Sequence, residues 1–295
     1  MNRRLRENLT GYLFIAPNLI AYLFFTILPI VFVIYISFTN WDVVSGIEGM
    51  KFVGLKNYLE LPHDIWFTDS LKNNIRYTLL VVPIGLVLSL LVALVLNDKI
   101  FAPAPVRTMF FVPYIANVVA VSAVWMALYH PKYGPINAVL RSLGFSDPPM
   151  WLASTKWALP AIVIMNIWGG LGYNAVIYLA GLQTIPKELY EAGEIDGASG
   201  FQRLTKITLP MLTPTIFFLL ITSMIGSFQL FGQVNLLTQG GPGRATTVLA
   251  YYMYLAGFRF FEMGYAASIA IFLFVIVFII TLIQWQGQKR YTDYL

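Results

Sequence analysis

Uncharged hydrogen-bonding side chains recur at helical spacing within long apolar segments of the sequence. Asn166, Gly170 and Tyr173 stand at positions i, i+4 and i+7, so they would share one face of a helix, with Gly169 at its edge. Spacings of three and four residues join two further pairs, Tyr114 with Asn117 and Ser223 with Ser227. Amide, hydroxyl and aromatic groups in such places can bind a polar solute, or they can bond a neighbouring helix. The residues alone leave both roles open.

The residue types that usually perform covalent or metal chemistry are scarce. The 295-residue chain has no cysteine and two histidines, and its apolar segments contain no Asp, Glu, Lys or Arg. The Gly-Lys dipeptide of an ATP-binding phosphate loop occurs nowhere. We therefore predict no catalytic residue, no metal site and no cofactor. If the chain moves a solute uphill, the energy must come from another subunit, whereas a passive channel would need none.

Six apolar segments can cross a membrane, because a spanning helix needs about 20 residues. They comprise residues 12–38, 77–96, 108–129, 157–182, 211–237 and 264–285. The chain is 58% hydrophobic and only 11% charged, which is typical of membrane proteins. Its net charge of +5 is scattered beside the apolar segments, which favours a lipid surface over nucleic acid. The sequence thus predicts an all-α polytopic membrane protein with six transmembrane helices in one domain, 1–295.

Basic residues at the two ends of the chain indicate its orientation. Arg3, Arg4 and Arg6 precede the first segment, and Lys289 and Arg290 follow the last. Positive charges beside membrane spans tend to stay in the cytoplasm. We therefore predict that both termini are cytoplasmic, which an even number of spans allows.

A polar loop, residues 186–210, stands between the fourth and fifth segments and contains EAGEIDGASGFQRLTKITLP. Pro186 suits the start of a short helix, and Gly197 suits its left-handed stop. Ser199 and Gln202 have the spacing of a capping box, which predicts a second short helix. With the first terminus inside, the loop faces the cytoplasm.

The same loop is similar to that of a known family. Glu191-Ala192-Gly193, then Gly197, then Ile207-Thr208-Leu209-Pro210 match the EAA…G…I-LP loop of permease subunits in binding-protein-dependent ATP-binding-cassette (ABC) importers. The stretches FVGLKNY (52–58), FFVPY (110–114) and LLTQGGPG (236–243) resemble the carbohydrate branch, which includes permeases for maltose-type oligosaccharides and for glycerol phosphate. Gly193 departs from the pattern, since the family often has alanine there.

This resemblance implies an importer-permease fold in which the loop forms a pair of coupling helices, seated in a cytoplasmic ATPase. The residues implied for coupling are Glu191, Ala192, Gly193, Asp196, Gly197, Phe201, Leu204, Ile207 and Pro210. Glu191 would be a charged anchor, Gly197 the elbow, and Phe201 with Leu204 an apolar plug. For the solute pathway the resemblance implies Tyr114, Asn166, Gly169, Gly170, Tyr173, Ser223 and Ser227, to which spacing adds Asn117.

The resemblance also implies partners and a location. A second related permease, a dimer of ATP-binding-cassette ATPases, an extracytoplasmic sugar-binding protein and the lipid bilayer would surround the chain, in the cytoplasmic (inner) membrane of a bacterium or archaeon. The expected function is the permease of a carbohydrate importer, with ATP hydrolysed by a separate subunit. Two alternatives stay open: a permease for another polar solute such as glycerol phosphate, and a passive channel or structural subunit.

Overall fold

The computed structural model describes residues 3–97 and 103–292. Within these ranges the regular structure is helical, apart from two isolated antiparallel bridges, Thr39 with Phe52 and Asp42 with Glu262. The first eight helices are α1 (Arg3–Tyr22), α2 (Leu28–Ile36), α3 (Lys56–Glu60), α4 (Ile65–Asn97), α5 (Pro103–Ile115), α6 (Val118–Leu128), α7 (Pro135–Ser142) and α8 (Ala158–Gln183). The next seven are α9 (Lys187–Ile195), α10 (Gly200–Arg203), α11 (Leu209–Met211), α12 (Thr213–Phe228), α13 (Gly232–Leu237), α14 (Leu249–Phe258) and α15 (Met263–Thr292).

Four helical segments are long and apolar enough to cross a membrane singly. They are Gly11–Ile36, Ile65–Asn97, Ala158–Gln183 and Met263–Gly287. Two bent pairs meet the same criterion: Pro105–Ile115 with Val118–Leu128, at 97°, and Gly200–Met211 with Thr213–Phe228, at 66°. If each pair is one span, the described part of the chain has six, in agreement with the predicted all-α membrane fold.

The third and fifth predicted segments are not single helices. Segment 108–129 continues through Pro113 and breaks one turn later. Asn117 marks the break, because its backbone is extended and its side chain accepts a hydrogen bond from the N–H of Val119 (2.8 Å) to cap α6. Segment 211–237 is likewise divided into α12 and α13. Hydrophobic length thus predicts the spans but not their internal breaks.

α4 begins well before residue 77, where the sequence predicts its start, and its polar first turns hold the loop between α13 and α14. The Asn73 amide donates to the carbonyls of Arg244 (2.7 Å) and Thr247 (3.0 Å). The Arg244 guanidinium donates in turn to Asp69 at 2.8 Å. Because these contacts satisfy the polar groups, the helix extends beyond its apolar part.

Packing divides the chain into two compact units. The first consists of Met1–Asp64 with Met253–Phe272, and the second of Ile65–Tyr252 with Leu273–Leu295. In the first unit, the buried Asn57 amide donates to the carbonyls of Ser37 (2.9 Å) and Thr39 (2.8 Å). Gly264 lies so close to the Thr39 carbonyl that a Cβ atom would overlap it. These contacts hold the loop after α2 against the start of α15.

α4 and α8 form the core of the second unit. Leu86 of α4 belongs to the same buried cluster as Tyr178 and Leu182 of α8. α5 reaches α8 at Gly172, where a Cβ atom would overlap the Phe110 carbonyl, so only glycine permits this approach. The contact brings the polar residues of α5 and α8 together.

Candidate functional site

The polar loop at residues 186–210, called the elbow below, turns sharply after α9. Gly197 has a φ of +73°, in the left-handed region that favours glycine. The N–H of Ala198 donates to the Gly193 carbonyl (2.8 Å) and that of Gly197 to the Glu194 carbonyl (3.1 Å), which together form a Schellman motif. The predicted left-handed stop at Gly197 is confirmed.

A capping box begins α10, the second helix of the elbow. The N–H of Gln202 donates to Ser199 Oγ (3.3 Å), and the N–H of Ser199 donates to Gln202 Oε1 (2.7 Å). The predicted capping box is confirmed. The helix is only one turn long, however, because a wider π turn, Leu204–Thr208, follows it and leads to α11.

Side-chain contacts hold the two sides of the elbow together. The hydroxyls of Tyr190 and Thr208 are hydrogen-bonded at 3.0 Å. Arg203 and Glu194 form an ion pair at 3.5 Å, in which the carboxylate is mostly exposed to solvent. Exposed ion pairs contribute little to stability, so the hydroxyl contact and the backbone motif matter more for the shape of the turn.

Gly193 lies directly beneath the second half of the elbow. A Cβ atom at this position would lie 3.0 Å from Ile207 Cδ1. Alanine would therefore require Ile207 to shift by a few tenths of an ångström. Glycine at this position leaves the Ile207 side chain undisturbed.

The elbow exposes apolar side chains to solvent. Ile195 and Phe201, on either side of Gly197, are 87% and 74% exposed. Large exposed apolar groups that lie close together often mark a surface that another molecule covers. The sequence predicts Phe201 for such a contact but misses Ile195. An isoleucine between two acidic residues, in EIDG, is the signal that could have identified it.

The other residues predicted for coupling lie on the same loop. Glu191 and Ala192 are exposed on α9, and Asp196 caps its end. Leu204 is half-buried in the π turn, and Pro210 is half-buried in α11. All nine residues predicted for coupling therefore belong to the elbow.

A cavity of about 360 Å³ opens among α4, α5, α8 and α12, and is called the first cavity. Six of the eight residues predicted for the solute pathway line it: Tyr114, Asn166, Gly170, Tyr173, Ser223 and Ser227. Its wall also includes Tyr77, Asn174 and Thr222, which the sequence does not single out. The polar groups of this wall are hydroxyls and amides, which can both donate and accept hydrogen bonds.

Two stacked tyrosines form part of the wall of the first cavity. The rings of Tyr114 and Tyr173 have centroids 4.5 Å apart and planes inclined by 17°. Tyr114 is 49% exposed, so the pair presents an accessible aromatic surface. The close approach of α5 to α8 at Gly172 brings the two rings near enough to stack.

The Ser227 hydroxyl is already engaged within the protein. Its Oγ donates to the Met224 carbonyl (2.7 Å) and lies 2.8 Å from Thr78 Oγ1. The side chain is buried, and it ties α12 to α4. Ser223, half-buried one turn earlier, is therefore better placed to meet a solute.

A second cavity, of about 290 Å³, adjoins the first and shares Tyr114 and Asn166 with it. Gly169 and Gln233 line only this second cavity. The Gln233 amide donates to Asn166 Oδ1 at 2.9 Å, which joins α13 to α8. Gln229 and Gln233 stand at helical spacing in the sequence, but neither is among the residues predicted for the solute pathway.

Asn117 lines neither cavity, although the sequence predicts it for the solute pathway. Its side chain caps α6 instead. None of the described residues around the two cavities is Asp, Glu, Lys, Arg or His. Across residues 3–97 and 103–292, no group of three or more potential ligands could hold a metal ion. The arrangement is suited to reversible binding of an uncharged, hydroxyl-rich solute.

Comparisons with known proteins concern the chain as a whole. A family model described as the binding-protein-dependent transport system inner membrane component matches residues 66–291. The probable ABC transporter permease protein YesP of Bacillus subtilis (strain 168) is 36% identical over 293 residues, which cover 98% of this chain and 93% of the relative.

Two further similarities concern sugars. The trehalose/maltose transport system permease protein MalF of Thermococcus litoralis is 36% identical over 283 residues, which cover 94% of this chain and 93% of the relative. A chain in the crystal structure of a bacterial alginate ABC transporter, in complex with an alginate pentasaccharide-bound periplasmic protein, is 25% identical. That match has a TM-score of 0.84 and covers 98% of this chain and 97% of the other.

Proposed function

Because this chain belongs to the family of binding-protein-dependent transport system inner membrane components, we propose that it carries a neutral carbohydrate into the cell. The chain is the multi-pass permease of an ABC importer in the inner membrane, and a separate subunit hydrolyses ATP. A second, related permease would complete the pathway, with this chain acting as one membrane domain, 1–295. A sugar-binding protein would deliver the solute from outside.

The observation that carries the proposal is the stacked Tyr114–Tyr173 pair in a cavity lined by hydroxyls and amides. The C–H face of a sugar ring packs on an aromatic surface, while its hydroxyls exchange hydrogen bonds with Asn166 and Ser223. Trehalose and maltose, in the name of the similar Thermococcus litoralis permease, are neutral sugars and support the same solute class. An uncharged wall disfavours an anion such as glycerol phosphate, since a buried charge needs a partner.

The elbow would couple the permease to the ATPase. Ile195 and Phe201 are exposed around a rigid turn, which suits an apolar cleft in a water-soluble partner. Leu204 would extend this plug, and Glu191 would be a charged anchor at its rim. Because an ATPase works in the cytoplasm, this role requires the elbow and both chain termini on that side. A dimer of ATPases would serve the two permeases.

The test is ATP-driven uptake by the complete complex in proteoliposomes. The probes are glucose, maltose, trehalose and maltotriose, with an alginate oligosaccharide and glycerol phosphate as acidic controls. We expect ATP-dependent uptake of at least one neutral sugar and of neither anion. Uptake that persists without the ATPase would indicate a passive channel. Uptake of an anion alone would overturn the neutral-carbohydrate assignment.

Substitution of Tyr173 tests the aromatic surface directly. Tyr173→Ala should raise the transport KM of the imported sugar about tenfold, equivalent to about 1.4 kcal/mol of lost stacking. Tyr173→Phe keeps the ring and is the matched control, with a change below about twofold. An unchanged KM in Tyr173→Ala would reject the site while leaving the fold intact.

A further inference from the structure

The second cavity extends the first in one direction. Both cavities share Tyr114, Asn166 and Gly170, so a solute in one would touch residues of the other. The second is bounded by the start of α6 and by α13, the two short helices that follow the breaks in the third and fifth predicted segments. It therefore lies toward the loops that follow α6 and α13.

The lining of the second cavity combines amide groups with apolar surface. Gln233 and Asn166 supply the amides, and Val118, Val121 and Met165 supply the apolar wall. A sugar ring needs the same combination, because it has hydroxyls at its edge and C–H groups on its faces. At about 290 Å³ the second cavity is close in size to the first.

We propose that the second cavity binds a second sugar ring, so that the pathway holds two adjacent rings of a neutral oligosaccharide with Asn166 between them. The inference rests on the proposed carbohydrate function. It goes further in assigning a separate subsite, and in assigning Gln233 as the residue that recognises the second ring.

The hydrogen bond between Gln233 and Asn166 explains how the subsite stays stable when no sugar is bound. Gln233 Nε2 donates to Asn166 Oδ1 (2.9 Å), and Asn166 Nδ2 donates to the Ile162 carbonyl (2.9 Å). Each amide thus has a partner in the empty cavity, which avoids the cost of unsatisfied polar groups. A sugar hydroxyl between the two rings can replace the Gln233–Asn166 bond with one bond to each amide.

The absence of cysteine from the chain makes a labelling experiment direct. Gly169→Cys would report on the second cavity and Gly226→Cys on the first, and a Cβ atom at either position meets no other atom within 4 Å. Ser146→Cys, on an exposed loop, is the control for the reagent. Each variant is assembled into the complete complex and treated with a small methanethiosulfonate reagent, with or without glucose, maltose, trehalose or maltotriose.

We expect glucose, with one ring, to occupy the first cavity and to slow labelling of Gly226→Cys only. A bound two- or three-ring sugar should slow labelling at both about tenfold when its concentration is about ten times the Kd. Equal protection of both cysteines by glucose, or protection of Gly226→Cys alone by every sugar, would overturn the second subsite and leave the proposed function standing. No protection of either cysteine by any sugar would overturn both.

Gln233→Leu provides an independent measurement. It should weaken binding of the two- and three-ring sugars about tenfold, as expected for one lost hydrogen-bonding partner, and leave glucose binding unchanged. Gln229→Leu, four residues away at the end of α12 and lining neither cavity, is the matched control. An equal loss for all sugars would contradict a role specific to the second ring.

Discussion

Glycine is required for different physical reasons in the elbow and in the cavities. Gly197 has a φ of +73°, which strains any other residue, although a side chain there would meet nothing within 4 Å. Gly169, Gly170 and Gly226 lie within helices, and a Cβ atom on any of them would also meet nothing within 4 Å. The elbow therefore depends on a backbone angle, whereas the cavities depend on empty volume.

The largest effect, on ATP hydrolysis, is expected for Gly197→Val, which disfavours the left-handed backbone angle at this position. A left-handed conformation costs a non-glycine residue about 1–2 kcal/mol, and a β-branched residue more. The turn should relax and move Ile195 relative to Phe201, so the complex should assemble but lose its sugar-stimulated ATP hydrolysis in proteoliposomes. Gly200→Ala, in a helix with open space, should retain it. Normal stimulation in Gly197→Val would contradict the coupling role.

Gly170→Val would fill part of the volume beside a residue that lines both cavities. We expect sugar binding, measured by calorimetry on the complex, to weaken by at least about tenfold, because the new side chain occupies the space of the solute. Thermal stability should change little, since a Cβ atom at Gly170 meets no other atom within 4 Å. Gly11→Val, in α1 and also with open space, should bind normally. Native affinity in Gly170→Val would place the solute elsewhere.

Substitutions of Asn117 test whether this residue contacts the solute or only caps α6. Asn117→Ala should lower the stability of the complex by about 1 kcal/mol through loss of the α6 cap, with the transport KM unchanged. Asn117→Ser retains a capping oxygen without adding a charge and should restore most of the melting temperature. A raised KM in both variants would return Asn117 to the solute pathway.

The smallest effect is expected for Arg203→Gln, which removes the ion pair of the elbow. An exposed pair contributes about 0.5 kcal/mol or less, so both the melting temperature and the stimulated ATP hydrolysis should remain close to native. If coupling fell as far as in Gly197→Val, the elbow would depend on charge rather than on its backbone.

The elbow could be predicted residue by residue because its signals are local. The helix stop at Gly197 and the capping box of Ser199 with Gln202 depend only on residues close by in the sequence. The exposure of Ile195 also has a local signal, because acidic residues flank it on both sides, whereas the half-burial of Leu204 depends on which helices pack nearby.

The cavities could be predicted only in outline. The shared face of Asn166 and Tyr173 follows from one helix, but their meeting with Tyr114 depends on the contact between α5 and α8. The spacing of Asn117 from Tyr114 places both on one face only if the helix is continuous, and hydropathy does not reveal the break between them. An asparagine before an apolar run is a local capping signal, and Gln233 lies just after another such break.

The bonds between α4 and the loop after α13 have a mechanical consequence. Asp69 and Asn73, which grip that loop, lie on the same continuous helix as Tyr77 and Gly85 of the first cavity. A displacement of the loop would therefore reach the cavity wall through one continuous helix. A partner that binds this loop would therefore also alter the shape of the first cavity.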